Sequence, residues 1–356
     1  MSTDVYEKLA DQLDAMPNGF PRLKSGVELK ILKKIFTLEE ASFAAELTGV
    51  MEPVKIIAEK IGVTAKETRM NFMKMVKKGL VWFEKKDGEV SFRLAPFVVG
   101  IYEAQVHLMD HELSHLVEDF FAEGGAVGIM KPDPALTRVI PAQDAIKSEF
   151  ILPYDDVKKI LNEAKAFRVL DCTCRVQQDH HSNGRKCNFS LKVCLTFSSD
   201  ERHFRNDGVS REAAIAILDQ CEKEGLVHTV SNVVTGMGFL CNCCGCCCGM
   251  LRGINEYGIE NSVAQANYYL KIEEDLCVGC KKCEARCQVN AIKVVDGKAV
   301  VDKDRCLGCG VCVSTCPVQA LSLVPKPKEE RVEPPHDYHE WEHARLHNRG
   351  IDHKHD

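Results

Sequence analysis

Two runs of cysteine toward the C-terminal end carry the strongest chemistry in the chain. Cys277, Cys280, Cys283 and Cys287 form C-x2-C-x2-C-x3-C, and Cys306, Cys309, Cys312 and Cys316 repeat it, with Pro317 closing the second run. This spacing lets three thiolates wrap one [4Fe–4S] cubane while the fourth crosses to the other. It predicts one cluster on Cys277, Cys280, Cys283 and Cys316, and a second on Cys306, Cys309, Cys312 and Cys287. A four-cysteine zinc site uses two separated C-x2-C pairs, not a doubled four-cysteine run. A cubane changes by one electron at low potential and offers no group that holds a substrate, so the segment reads as a wire. Gly279, Gly308 and Gly310 suit tight turns that bring backbone amides toward inorganic sulfide, and Asp296-Gly297 predicts a hairpin between strands at 291–295 and 298–302.

A denser group precedes these runs. Cys241, Cys243, Cys244, Cys246, Cys247 and Cys248 fall within Cys-Asn-Cys-Cys-Gly-Cys-Cys-Cys, and Cys172, Cys174, Cys187 and Cys194 stand upstream, with His180 and His181 between them. Thiols this crowded must face metal or each other. In an extended chain, alternation sends Cys241, Cys243 and Cys247 to one side and Cys244, Cys246 and Cys248 to the other, and Gly245 can bend it further. These thiols suffice for one or two further iron–sulfur clusters. The alternatives are one cluster with a redox-active dithiol, a non-cubane centre held partly by the vicinal pairs as in enzymes that reduce disulfides, or a mixed zinc site of Cys172, Cys174 and His180 or His181. Cys221 stands apart in a helical stretch and predicts a small buried hydrophobe.

Composition narrows the setting. The chain has 356 residues, 45% of them hydrophobic, enough for two to four domains with their own cores. A formal net charge of -6 gives no global attraction to nucleic acid or anionic membrane. The N-terminus lacks a basic-then-apolar signal pattern, and no uncharged stretch is long enough to span a bilayer. The expected compartment is therefore the reducing cytoplasm, where clustered cysteines bind metal or do redox work.

The elements that must position these thiols can be read from periodicity. Residues 1–125 predict a winged-helix-like module with a linking helix. Within 28–99, three short helices are expected, with Gly62 ending the second and Thr64 capping the third, followed by a hairpin over 80–94 around Asp87-Gly88. Lys66, Arg69, Lys74, Lys77, Lys78, Lys85 and Lys86 make a basic face that could meet DNA phosphates, although docking or dimerisation is the preferred role. One long helix is expected over 101–123. It contains His111-Glu112-Leu113-Ser114-His115, an H-E-x-x-H string of the zinc-protease kind, but with no third ligand in view a histidine-rich helix face is preferred. Residues 126–267 predict a cysteine-rich α/β domain, entered through Pro132, Pro134, Pro141 and Pro153. Its helices are expected at 156–166 and 211–224, and its strands at 167–170 and 226–230. Residues 268–324 hold the doubled cysteine runs. Residues 325–356, with Pro325, Pro327, Pro334 and Pro335 and with His336, His339, His343, His347, His353 and His355, suggest a solvated extension, with a helix lying on a neighbour as the alternative. The fold class is thus α+β and multidomain.

Residues 268–324 closely resemble bacterial two-cluster ferredoxins, departing at Gln288, where that family commonly has proline. The whole arrangement resembles the 4Fe–4S dicluster-binding proteins of anaerobic bacteria and archaea. The carriers are Gly26-Val27-Glu28-Leu29, Asp171-Cys172-Thr173-Cys174-Arg175, the stretch 241–248 and the doubled run. The resemblance implies iron–sulfur binding and anaerobic electron transfer, and no particular substrate. The leading expectation is an electron-transfer protein or subunit that exchanges single electrons with a redox partner or oxidoreductase complex. A catalytic redox protein, reducing a disulfide or small acceptor at the middle-domain cysteines, is second. A redox-sensing regulator binding DNA through Lys66, Arg69, Lys74 and Lys78 is third. No phosphate loop, dinucleotide fingerprint or flavin motif is present.

Overall fold

Helix caps written into the sequence cut the N-terminal third into short pieces. The computed structural model describes residues 4–146, 151–152, 154–201 and 204–351, so Pro153, His353 and His355 lie outside the described residues. It divides into two compact units, one of residues 1–133, 176–185 and 342–356, the other of residues 134–175 and 186–341.

In the first unit, α1 (Val5–Asp14) starts where the Asp4 carboxylate accepts from the Tyr6 amide. It is followed by α2 (Val27–Ile35), α3 (Leu38–Ala44), α4 (Val54–Ile61) and α5 (Ala65–Lys77). Gly62 closes α4 in the left-handed conformation and the Thr64 hydroxyl caps α5, as the sequence predicts. The stretch 28–99 nevertheless holds four helices, not three. The extra one is α3, which buries only the small residues Ala41 and Ala44 and so leaves little periodic signal. A capping box between Thr37 and Glu40 starts it. Strands β1 (Glu52–Pro53), β2 (Val81–Lys86) and β3 (Glu89–Leu94) form an antiparallel ribbon in the order β1-β3-β2, with the turn at Asp87 and Gly88.

The single helix expected over 101–123 is broken. After α6 (Tyr102–Ala104) the chain leaves the helical path, and α7 (His111–Phe120) begins afresh where the extended Asp110 accepts from the Leu113 amide at 2.8 Å. Gly124, with φ 128°, separates it from α8 (Ala126–Met130). Residues 176–185 join this unit through Gln177, which donates to the Ser114 carbonyl at 3.0 Å, and Gln178, which donates to Glu118 at 2.7 Å.

The second unit is built on a five-stranded antiparallel sheet in the order β4-β7-β8-β6-β5. Its strands are β4 (Thr137–Ile140), β5 (Ala166–Asp171), β6 (Lys192–Ser198), β7 (Val227–Ser231) and β8 (Phe239–Cys243). Helices α9 (Val157–Glu163) and α11 (Arg211–Glu224) bury Val157, Leu161, Ala214 and Leu218 against Phe167, Leu195, Val230 and Leu240. Between them α10 (Thr173–His181) follows β5, its first residues in this unit and the rest in the other. Cys221 is fully buried on α11, as expected of a lone helical cysteine. After α12 (Gly249–Asn255), the last part of the unit pairs β9 (Tyr268–Ile272) with β12 (Leu321–Pro325), and β10 (Ile292–Val295) with β11 (Lys298–Val301). Helix α13 (Lys282–Arg286) lies between β9 and β10.

Of the two expectations for the stretch after residue 325, the helix lying on a neighbour is realised over 338–348, while Lys328–Glu330, Val332 and Glu333 before it are exposed. The stretch ends in α14 (Tyr338–Asn348), whose Trp341 is buried and donates from its indole to the Ala135 carbonyl at 3.0 Å within the second unit. Within the first unit, Arg345 is 0% exposed and donates to the carbonyls of Pro17, Ile129 and Pro132. Trp341 and Arg345 are buried whereas His339, His343 and His347 on the same helix are exposed, and the histidine count hid the anchor. Among the described residues, no helix is long and apolar enough to cross a membrane.

Candidate metal centres

Two small cavities open inside the last part of the second unit, each lined by four cysteines. One is lined by Cys287, Cys306, Cys309 and Cys312, closed by apolar residues including Leu270, Ile292 and Leu323. The other is lined by Cys277, Cys280, Cys283 and Cys316, with Val294, Ala299 and Leu321. Each cavity therefore gathers three cysteines of one run and the last of the other. The hairpin of β10 and β11 and the pairing of β9 with β12 bring these runs together.

The backbone is arranged to favour sulfur in its charged form. The amides of Ala291, Ala299 and Ala320 donate to the sulfurs of Cys287, Cys277 and Cys316 at 3.2, 3.4 and 3.2 Å. Amides of Gly279 and Ala299 hold the Cys277 thiol below its ordinary value. Burial dominates at four more: it pushes Cys309 up to about 12, and raises Cys283, Cys306 and Cys312 as well. Thiols so enclosed ionise only when a cation takes the proton's place, which is what metal ligation does. Gly279, at φ 64°, lies so close to the β10–β11 turn that a Cβ would stand 2.5 Å from the Gly297 carbonyl oxygen. Close backbone around four convergent sulfurs fits a cluster cradle.

The middle-domain cysteines fall into two sets. The sulfurs of Cys187, Cys244, Cys246 and Cys247 all lie within 4.8 Å of one another. The other six influence one another electrostatically in series, from Cys194 through Cys241, Cys243, Cys248 and Cys174 to Cys172. They come from different elements: Cys172 lies between β5 and α10, Cys174 is on α10, Cys194 on β6, Cys241 and Cys243 on β8, and Cys248 caps α12. Contacts from Cys241 and Cys248 bring Cys243 down to about 6, against the effect of burial.

Strict alternation along 241–248 does not hold. The extended strand stops at Cys243 and a turn occupies residues 245–247, so Cys247 joins Cys244 and Cys246, while Cys248 joins Cys241 and Cys243. Glycine at 245 permits this, because a Cβ there would stand 1.9 Å from the Gln288 carbonyl oxygen. Neither His180 nor His181 enters the cysteine quartet; the His181 ring instead lies tilted against His115, which lies tilted against His111, each pair with ring centroids 4.4 Å apart. Glu112, the carboxylate of the H-E-x-x-H string, is exposed and paired with Lys34.

Three residues with roles here were not singled out as functional in the sequence. Arg175 is fully buried, donates to the carbonyls of Ser190 and Asn242 at 2.8 Å each, and its charge helps hold the Cys244 thiol down. Burial opposes its charge, but Cys172, Cys244 and Cys243 outweigh burial and raise its pKa. Gln288 follows Cys287 and accepts from the Gly245 amide at 2.8 Å while donating to the Gly225 carbonyl at 3.0 Å. Its departure from the ferredoxin proline was the one available signal. Val227 lines the cavity of Cys287, Cys306, Cys309 and Cys312, and on the sheet it pairs with Cys243.

A family model described as a 4Fe-4S dicluster domain matches residues 270–323. No curated protein and no solved structure matches the chain. The matched segment encloses all eight cysteines of the two cavities, so the chain carries a dicluster domain of the iron–sulfur type.

Proposed function

We propose that this protein transfers single electrons between a redox partner and a thiol-rich centre in its middle domain. Cys277, Cys280, Cys283 and Cys316 would hold one [4Fe–4S] cluster; Cys287, Cys306, Cys309 and Cys312 would hold the other. When bound, such clusters supply one-electron exchange at low potential. The six-thiol series of Cys172, Cys174, Cys194, Cys241, Cys243 and Cys248 would hold a further iron–sulfur centre.

The observation that carries this reading is the position of Val227. Its side of β7 lines one cysteine cavity and its sheet partner is Cys243, so one residue separates the dicluster domain from the six-thiol series. The opposite cavity reaches the surface. Cys280 is exposed there, beside Leu276 and Val278, both more than half exposed, and this apolar rim is the proposed docking face for a redox protein. The N-terminal helices and ribbon serve, in this reading, as a winged-helix-type docking or dimerisation module. Its exposed Lys66, Arg69 and Lys74 remain solvated, and Lys78 pairs with Glu40.

Anaerobic preparation with iron, sulfide and electron-spin measurements tests the proposal. About eight irons belong to the dicluster domain, since each cubane carries four, and iron beyond that number that is matched by acid-labile sulfide belongs to the six-thiol series. Cys280→Ser is expected to alter the signal of one reduced cluster and to slow exchange with an external low-potential donor. Colourless, iron-free protein would end the proposal.

A further inference from the structure

A metal ion bound by four thiolates fixes the distance between their sulfurs. With metal–sulfur bonds of about 2.3 Å and tetrahedral angles, neighbouring sulfurs stand about 3.8 Å apart. A cubane binds each cysteine at a different iron corner, so the whole cage holds its four cysteine sulfurs apart. The two kinds of site therefore differ in sulfur spacing before any metal is considered.

The quartet of Cys187, Cys244, Cys246 and Cys247 has the shorter spacing. All four sulfurs lie within 4.8 Å of one another, and the pairs Cys187–Cys247 and Cys246–Cys247 are each 3.7 Å apart. Among the described residues no other set of histidine, cysteine or acidic ligands converges so closely, and neither cysteine quartet lining the dicluster cavities does. The same chain thus presents wide quartets where the dicluster domain lies and a tight quartet in the middle domain. We infer that Cys187, Cys244, Cys246 and Cys247 bind one mononuclear divalent metal ion in a tetrahedral four-sulfur site, and not an iron–sulfur cluster.

Zinc and ferrous iron share the chemistry this site offers. Binding releases the thiol protons and leaves a dianionic centre, part of whose charge the buried guanidinium of Arg175 offsets. The ion would act as a pin. It ties Cys187, on the connection between α10 and β6, to the turn at 245–247, and that turn is the one whose Gly245 amide rests on Gln288. The strand and helix cap that carry Cys241, Cys243 and Cys248 directly flank it.

The test is metal and sulfide analysis of the anaerobic full-length chain, with X-ray absorption at the zinc and iron edges. The expected result is one zinc per chain, or one iron in excess of acid-labile sulfide, with sulfur neighbours at about 2.3 Å. The double variant Cys187→Ser, Cys246→Ser should lose that ion and keep iron and sulfide otherwise unchanged. Loss of about four irons together with about four sulfides would overturn the inference, because that is a cubane's inventory. So would wild-type protein without zinc whose iron equals its sulfide. Should the variant fail to fold, the wild-type stoichiometry and absorption edges still decide. The spin signal of the reduced dicluster domain is read separately, so failure of the electron-transfer proposal cannot be confused with failure of this one.

Discussion

Gln288 shows how much one side chain can decide. Proline at this place would serve as a turn after the fourth cysteine of the run. Glutamine instead has an oxygen and a nitrogen to offer, and both are used: Gly245 on the polycysteine turn donates to the first, and Gly225 at the end of α11 accepts from the second. Asn255 completes the contact by donating to the carbonyls of both Gly245 and Gln288. Gln288→Pro removes both side-chain bonds and strands a part-buried donor and acceptor, each costing about 1–3 kcal/mol. The expected outcome is a thermal midpoint lowered by several degrees in anaerobic melts, with the iron of the dicluster domain retained. An unchanged midpoint would mean that water replaces the amide and that the departure from proline is neutral. The residue was visible in the sequence as an exception, but its partners were not, because they lie 43 and 63 positions away.

At the scale of elements, the sequence was most legible where a short pattern fixes the backbone. The doubled cysteine run, the Asp296-Gly297 hairpin, the α11 span of 211–224, and the Asp87-Gly88 ribbon all depend on residues within a few positions of one another. What escaped was local competition and distant packing. Asp110 spends its carboxylate on a new helix start and so breaks a run whose periodicity looked continuous. Past Cys243, the chain bends because Gly245 abuts a backbone far away, and no alternation rule contains that fact. The glycines of the dicluster loops carry a prediction of the same kind. At Gly279 a methyl group would both strain a left-handed backbone and drive against the Gly297 carbonyl. Gly279→Ala should therefore cost about four irons and four sulfides, the content of the cluster on Cys277, Cys280, Cys283 and Cys316, while the second cluster keeps its spin signal. Gly308→Ala should do the reverse, because its Cβ would stand 2.6 Å from the Tyr268 carbonyl oxygen beside the other quartet. Equal loss of both clusters from either variant would show that the two cradles do not fold separately.

The first unit is tied together by a segment whose composition suggested little structure. In the first unit, Arg345 supplies donors to carbonyls at residues 17, 129 and 132, and Arg349 bonds the Asp14 carboxylate and the carbonyls of Asp14 and Met16. These carbonyls lie at or just past the ends of α1 and α8. A buried guanidinium is costly to desolvate, and it is tolerated here because its donors are met by several acceptors at once. Arg345→Met keeps the volume and removes the donors. It should destabilise the first unit by about 3 kcal/mol or more, since several carbonyls lose their partner together. Hydrogen exchange is the measurement that separates the units: protection should fall in α1 and α8 while the amides of Ala291, Ala299 and Ala320, which face cysteine sulfur, keep theirs. Iron content should not change. If the variant sheds iron in step with the lost protection, the C-terminal helix is supporting the dicluster domain as well, and the two compact units do not open independently.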